Sequence, residues 1–222
     1  MIIIRSAKIK SLTIKSLIAL LTVVLFSFTN GGELKAQDLD FHFGVRGGVG
    51  MSTLSGFDNN GLKLGLTAGG YAKFIIDDYS SIDAELSYST GGQQSEKWIE
   101  NGAEQLKVYS KYNLHYINLP ILYQYYFTDI LGVEGGVNFR YCMAGSLKTK
   151  VGNERWHKVD FEQNYYNSFD FGLIFGVYTE NLIPHDNFFV SLRSYFGFLD
   201  VVKDVGSNKN ISIQISVGYM FK

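Results

Sequence analysis

The chain has 222 residues and carries 20 Lys and Arg against 21 Asp and Glu, so its formal net charge of −1 gives no indication of nucleic-acid binding. Aromatic residues make up 15% of the chain, and 24 Gly stand beside only 2 Pro. With charged residues at 18%, this composition points away from disordered and from helical proteins. The single cysteine, Cys142, excludes an internal disulfide and any zinc site built from several cysteines.

Residues 1–36 have the pattern of a secretory signal peptide. Basic residues without any acidic residue precede an apolar run that starts at Leu17 and ends near Phe28. We predict cleavage after Ala36, which leaves residues 37–222 as the exported domain. An uncleaved membrane anchor is the alternative, but the run is shorter than the roughly 20 apolar residues that a spanning helix needs.

Beyond residue 38, apolar residues alternate with polar residues or glycine in eight segments. In the last segment, for example, Ile211, Ile213 and Ile215 alternate with Ser212 and Gln214. Alternation over about ten residues is typical of a strand with one apolar face. The eight segments lie at roughly residues 39–52, 62–76, 82–89, 108–127, 131–143, 169–178, 188–196 and 211–221.

The fourth segment changes its parity. Tyr112, Leu114 and Tyr116 share one parity, whereas the apolar residues from Ile117 onward share the other. A change of parity needs an extra residue, and Pro120 cannot donate to a strand ladder. The sequence therefore predicts a β-bulge near Ile117–Pro120.

The connections between the segments are of two kinds. Short connections lie at residues 77–79, at 128–129 and around Pro184, and longer polar connections lie at 55–60, 91–107, 146–167 and 199–209. Short turns that alternate with long loops are typical of bacterial outer-membrane barrels, in which the turns are periplasmic and the loops extracellular. Both ends of the exported domain are then expected in the periplasm.

The distribution of charge between the two faces indicates which face meets lipid. The apolar parity holds almost only Leu, Ile, Val, Phe and Tyr, whereas the polar parity is rich in glycine and holds charges of both signs. A soluble ligand-binding barrel, which is the alternative, would place its charges on the outer wall in water. We therefore predict an all-β fold, an eight-stranded antiparallel up-and-down transmembrane β-barrel surrounded by outer-membrane lipid.

The charges of the polar parity are predicted to form a structural network inside the barrel. Eight strands enclose only enough room for side chains, so we expect a filled lumen rather than a diffusive pore. The predicted network consists of Arg46, Lys63, Lys73, Asp83, Glu85, Glu134, Arg140, Asp170 and Arg193.

Three segments resemble strands of a known family. Residues 84–92 (AELSYSTGG), 116–125 (YINLPILYQY) and 133–139 (VEGGVNF) are similar to consecutive strands of the PorT-like outer-membrane β-barrel domain of Bacteroidetes. The resemblance covers about residues 39–222. It implies a barrel in the outer membrane and, from the founding member, an accessory role in the secretion of proteins across that membrane.

The sequence offers little catalytic chemistry and indicates no cofactor. The four histidines, His42, His115, His157 and His185, lack the spacing of metal ligands. Outer-membrane barrels can be lipid-modifying enzymes that use a His with a Ser and an acid, and His115 with Ser87 or Ser110 is the triad left open. We expect a protein that is not an enzyme.

Trp98 and Trp156 are the candidate contacts to a protein partner. Each lies among charged residues in a predicted extracellular loop, where an aromatic side chain can anchor a partner. The alternatives are contact with lipid head groups and packing of one loop on another. Cys142 has the polar parity of its strand, and we expect it to be buried rather than reactive.

Three functions follow from these observations. The first is a PorT-like accessory of secretion or surface assembly, which would contact other secretion or surface proteins. The second is a stand-alone structural or adhesive surface barrel. The third, and least supported, is a lipid-modifying enzyme that depends on His115.

Overall fold

The computed structural model describes residues 40–56, 61–101, 104–152, 154–160, 166–180, 187–203 and 207–221. The predicted signal peptide and its cleavage after Ala36 lie outside these residues. Among the described residues, no helix is long and apolar enough to cross a membrane.

The described residues form nine β-strands, and in the barrel itself the side chains of each strand alternate between two environments. The strands are β1 Phe41–Leu54, β2 Lys63–Asp77, β3 Ser80–Asn101, β4 Glu104–Tyr126, β5 Leu131–Val151, β6 His157–Asp160, β7 Phe169–Glu180, β8 Phe188–Asp200 and β9 Lys209–Phe221. Eight of them close into a ring in the order β1-β2-β3-β4-β5-β7-β8-β9, with β9 pairing back to β1. All described pairings are antiparallel, which confirms the predicted eight-stranded up-and-down barrel.

The apolar parity faces outward, as the sequence predicts. On β2, the outward Leu64 is 72% exposed, whereas the inward charged residue Arg46 on the neighbouring β1 is only 4% exposed. A wall of exposed Leu, Ile, Val and Phe around a charged interior is the arrangement of a barrel in lipid. On β1 this outward apolar stretch runs from Phe41 to Met51, which fits the roughly 9–11 residues that a spanning strand needs. We call this level of the barrel the membrane band.

Three strands continue far beyond the membrane band. The strands β3, β4 and β5 contain 22, 23 and 21 residues. Their parts outside the membrane band are six to ten residues long, or about 20–34 Å of extended chain. Residues 94–101, 104–113 and 146–151, together with β6, form a continuous sheet that we call the outer sheet.

The outer sheet corrects two predicted loops. Residues 91–107 and much of 146–167 have polar sequences without clean alternation, yet β3, β4 and β5 extend into them and β6 adds a ninth strand outside the ring. These segments form strands because their backbone groups hydrogen-bond to one another. They do not bury an apolar face. Sequence patterning, which depends on such a face, therefore gave no strand signal there.

The predicted bulge near Ile117–Pro120 is wrong. The pairing of β3 with β4 keeps one register throughout, and the irregularity lies between β4 and β5, where His115 pairs with Ala144 but Tyr116 with Cys142. The extra residue is thus Met143 on β5. The apparent change of parity arises because Leu114 and Tyr116 point inward, into an apolar cluster of the lumen.

Candidate functional site

A network of buried ion pairs fills the middle of the lumen. Arg193 Nη1 donates to Glu85 Oε2 at 2.7 Å, and Arg193 Nη2 donates to Glu134 Oε2 at 2.8 Å. Arg46 Nη1 reaches the same Glu85 oxygen at 3.1 Å. Asp83 lies 4.0 Å from Arg193 and accepts a hydrogen bond of 3.1 Å from Gln124. Five residues of the predicted network thus meet here from four different strands. They meet because alternate residues of every strand point to the barrel axis.

The four remaining predicted lumen residues lie at three other places in the barrel, and two of them, Arg140 and Asp170, share one place. Arg140 donates to Asn118 at 3.0 Å, and its guanidinium lies 4.0 Å from the ring centre of Tyr116 and 4.6 Å from that of Tyr195. The hydroxyl of Tyr195 in turn donates to Asp170 at 2.8 Å. These aromatic and amide partners lie on the polar parity with the charges, and neither the charge count nor a motif singles them out in the sequence.

Lys73 and Lys63 lie at opposite ends of β2. Lys73 forms an ion pair with Glu180 and donates to the hydroxyl of Tyr126 at 2.9 Å. Lys63 lies opposite Ser52 of β1, which is one residue beyond the membrane band. The Lys63 ammonium donates to the carbonyl of Gly91 at 2.9 Å. Lys63 is therefore placed apart from the central network, near the outer sheet.

An apolar cluster lies above the ion network on the side of the outer sheet. It consists of Leu54, Leu114, Tyr116, Cys142, Tyr166 and Val201. The cavity among Arg140, Arg193 and the polar residues around them holds about 50 Å³, or room for about one or two water molecules. At the level of the ion network, side chains thus occupy most of the described lumen.

The residues of the candidate triad do not come together. His115 lies on the outer side of the wall, where its Nδ1 is 2.5 Å from the hydroxyl of Tyr88. Ser87 is buried on the inner side and so is separated from His115 by the wall. Ser110 is five residues away along β4, or roughly 17 Å. Among the described residues, no group of three His, Cys, Asp or Glu side chains is placed to hold a metal ion.

The other described histidines and the cysteine lie apart from one another. His42 Nε2 lies 2.8 Å from Asp40, His157 begins β6, and His185 falls outside the described residues. Cys142 is buried in the apolar cluster, with its thiol 3.5 Å from the carbonyl of Ala144.

The predicted loop position is wrong for Trp98, which lies on a strand of the outer sheet, and is right for Trp156, which lies in the connection between β5 and β6. Trp98 lies on β3 and is 62% exposed, and Trp156 directly precedes β6 and is 42% exposed. The ammonium of Lys107 is 5.7 Å from the ring centre of Trp98, and that of Lys111 is 5.0 Å from the ring centre of Trp156. Each indole is thus partnered by a lysine that the sequence analysis did not select.

Two adjoining clefts run along the outer sheet. One, of about 660 Å³, lies between Trp98, Lys107 and Lys150. The other, of about 710 Å³, is lined by lysines that include Lys63 and Lys158. Both clefts share Gln94, Lys111 and Trp156 as lining residues.

The charges in these clefts are mostly positive. Glu96 in the first cleft forms an ion pair with Lys107 at 2.5 Å, and this carboxylate raises the pKa of Lys107. In the second cleft, burial together with the positive charges of Lys111 and Lys148 lowers the pKa of Lys63. The spacing of Lys148 and Lys150 by two residues was the available sequence signal, because it places both on one face of a strand.

Solved structures of bacterial outer-membrane proteins are similar to this chain. Neisserial surface protein A is 14% identical, with 81% of this chain and 97% of that chain covered and a TM-score of 0.46. OprG from Pseudomonas aeruginosa is 15% identical, with 82% and 97% covered and a TM-score of 0.40. Ail from Yersinia pestis, in complex with the heparin analogue sucrose octasulfate, is 12% identical, with 82% and 100% covered and a TM-score of 0.42. No curated protein matches the chain significantly in sequence.

The family assignment comes from the sequence itself. The family model described as outer membrane protein beta-barrel domain matches residues 35–203, which is well over half of the chain. The match agrees with the closed ring of strands, the apolar outer wall and the charged interior described above. The chain therefore belongs to the outer membrane protein beta-barrel domain family and is an integral β-barrel protein of the outer membrane.

Proposed function

We propose that this protein is a non-enzymatic surface barrel that recognises an extracellular partner through its outer sheet. The observation that carries the proposal is that β3, β4 and β5 continue beyond the membrane band for six to ten residues each, or about 20–34 Å. A barrel that only had to occupy the membrane would not need this sheet. The filled lumen then acts as a rigid support for it.

Two exposed indoles support recognition rather than a purely structural role. Trp98 and Trp156 project from the outer sheet, where aromatic side chains commonly anchor partners. A lysine lies over each indole, and Leu62 and the outward Leu64 line the same cleft as Trp156. For Trp98, contact with lipid head groups is less well supported. Gly91 lies near the edge of the membrane band, and Trp98 lies seven residues farther along β3.

The proposal includes no catalysis. His115, the candidate base, has Tyr88 as its hydrogen-bond partner, and the two candidate serines lie across the wall or far along the strand. A nucleophile and its base must lie within hydrogen-bond reach, at about 2.6–3.2 Å. Neither candidate serine lies within this reach of His115.

The topology is tested by labelling intact cells. The full-length variant Trp98→Cys is expected to react with a membrane-impermeant maleimide on intact cells, whereas the turn variant Asp78→Cys should react only after the outer membrane is permeabilised. The native Cys142 is buried and serves as the background. Labelling of Asp78→Cys alone on intact cells would reverse the orientation and contradict the proposal.

The function is tested in a strain that lacks the gene. We expect weaker binding of cells to extracellular surfaces, with unchanged secretion and unchanged lipopolysaccharide acylation. The double variant Trp98→Ala/Trp156→Ala should fail to restore binding, whereas the matched variant Tyr79→Ala, an exposed aromatic residue in the opposite turn, should restore it.

Two results would overturn this proposal. Lost secretion with normal surface binding would instead favour the PorT-like accessory role that the sequence resemblance implies. Altered acylation that wild type restores and His115→Ala does not would favour the lipid-modifying enzyme.

A further inference from the structure

Three lysines lie directly opposite one another across three strands of the outer sheet. Lys111 on β4 pairs with Lys148 on β5, and Lys148 pairs with Lys158 on β6. Like charges directly opposite each other destabilise a sheet. A row of two such pairs therefore needs a reason outside the stability of the sheet itself.

Few carboxylates neutralise this row. Among the described residues that line the second cleft there are four lysines, including Lys63, and no acidic residue. Lys158 has an ion pair of 2.6 Å with Asp160, in which both side chains are largely exposed. Exposed pairs of this kind contribute little to stability and are readily exchanged for another anion. The cleft thus presents an excess of positive charge to the medium.

The spacing of the row narrows the class of anion. Neighbouring strands lie about 4.8 Å apart, so the backbone positions of the three opposed lysines follow one another at intervals of roughly 5 Å. Anionic groups on adjacent positions of a sugar ring have a similar separation. Acidic side chains on one face of an extended peptide are wider apart, at roughly 7 Å.

Trp156 gives the cleft a flat apolar wall beside the charges. Its ring lies 5.0 Å from the Lys111 ammonium and lines both clefts, together with the amide of Gln94. An indole face packs well on the C–H face of a sugar ring, and an amide hydrogen-bonds to hydroxyl groups. Lysine ammonium groups are common ligands of phosphate.

We propose that the second cleft binds a saccharide bearing phosphate or sulfate groups, with Lys111, Lys148 and Lys158 holding the anionic groups and Trp156 packing on a ring. This inference rests on the proposed function, because it names the partner of the outer sheet. The saccharide has two sources of the same chemistry, the lipopolysaccharide of the surrounding leaflet and a free extracellular glycan.

The test uses the full-length protein reconstituted in phosphatidylcholine vesicles at about 0.15 M salt, where charges far from the site are screened. The probes are a sulfated heparin tetrasaccharide, purified lipopolysaccharide, uncharged maltotetraose and a polyglutamate peptide of the same charge as the tetrasaccharide. Binding is measured by titration, and the folded state of each variant is checked by its migration on a denaturing gel before and after heating.

The key variant is the triple Lys111→Gln/Lys148→Gln/Lys158→Gln. Its matched control changes Lys97, Lys203 and Lys209 to Gln, three lysines that line neither cleft. We expect the cleft variant to weaken tetrasaccharide binding at least about tenfold, the control to leave binding unchanged, and maltotetraose not to bind. Trp156→Ala should weaken binding severalfold without changing its dependence on salt.

The outcomes distinguish lipopolysaccharide from a free glycan as the source of the saccharide, and specific binding from general attraction between charges. Binding of lipopolysaccharide as well as the tetrasaccharide would support a membrane source, and binding of the tetrasaccharide alone a free glycan. Equal binding of polyglutamate, equal losses in both triple variants, or no binding of either saccharide would overturn the inference. If surface labelling and Trp-dependent cell binding persist in that last case, the inference fails while the proposed function stands.

Discussion

Replacing Arg193 by methionine removes a guanidinium from the centre of the lumen. Arg193 is 3% exposed and contacts Glu85 at 2.7 Å and Glu134 at 2.8 Å. Without it, Glu85 keeps its contact with Arg46 at 3.1 Å, but Glu134 keeps only the neutral amide of Gln124 at 3.0 Å among its described partners. The variant therefore leaves the buried Glu134 carboxylate without a cation in direct contact.

The expected loss in free energy of unfolding is about 3–5 kcal/mol, the usual cost of breaking a buried ion pair by removing one partner. Adding Glu134→Gln to Arg193→Met removes the stranded charge and should recover roughly 0.5–3 kcal/mol. Unfolding is measured by urea titration of the full-length barrel in lipid vesicles, with far-ultraviolet circular dichroism and the fraction of the heat-modifiable band as independent probes.

The surface variant Lys97→Met is the matched control, since it also exchanges a cation for methionine but at an exposed position. We expect it to change the unfolding free energy by no more than about 0.5 kcal/mol. A loss below about 1 kcal/mol for Arg193→Met would refute the reasoning, because the buried network would then contribute no more than an exposed ion pair.

Three further predictions test other parts of the molecule. His115→Ala should leave folding and lipopolysaccharide acylation unchanged, as mass spectrometry of lipid A from a complemented strain would show. Lys111→Gln should raise the unfolding free energy by roughly 0.2–1 kcal/mol in the absence of ligand, because it relieves repulsion from the lysine opposite; a loss of stability in the urea titration would contradict this. Gly44→Ala should cost about 1–3 kcal/mol, because the added carbon would lie 2.5 Å from the ring of Tyr71. The outward Gly70→Ala, with its nearest contact at 3.6 Å, should cost less in the same titration.

Much of the barrel could be predicted from local sequence alone. Alternation assigned Arg46, Glu85 and Arg193 to one face and the apolar residues to the other, and the structure places these charges inside. The partners of those charges were beyond sequence reasoning. Arg193 and Glu85 are 108 residues apart in the chain, and their contact depends on how eight strands are staggered around the ring.

The lysine row was missed for the same reason. Lys111, Lys148 and Lys158 share no motif and lie on three different strands. Each has an ordinary polar neighbourhood in the sequence, and only the registers of β4 with β5 and of β5 with β6 place them opposite one another. Sequence patterning predicts two loops where the outer sheet lies, because the strands of this sheet bury no apolar face.

The sequence by itself determined that the exported part of the chain forms strands, which side of each strand meets lipid, and that the outer wall is apolar. These properties follow from the two-residue period of an extended backbone, and neighbouring residues suffice to express it. The tertiary structure decided which buried charges pair, how far the strands continue outside the membrane, and where the lysines converge. Those properties depend on register between distant strands, which is set only when the ring closes and all its hydrogen bonds form together.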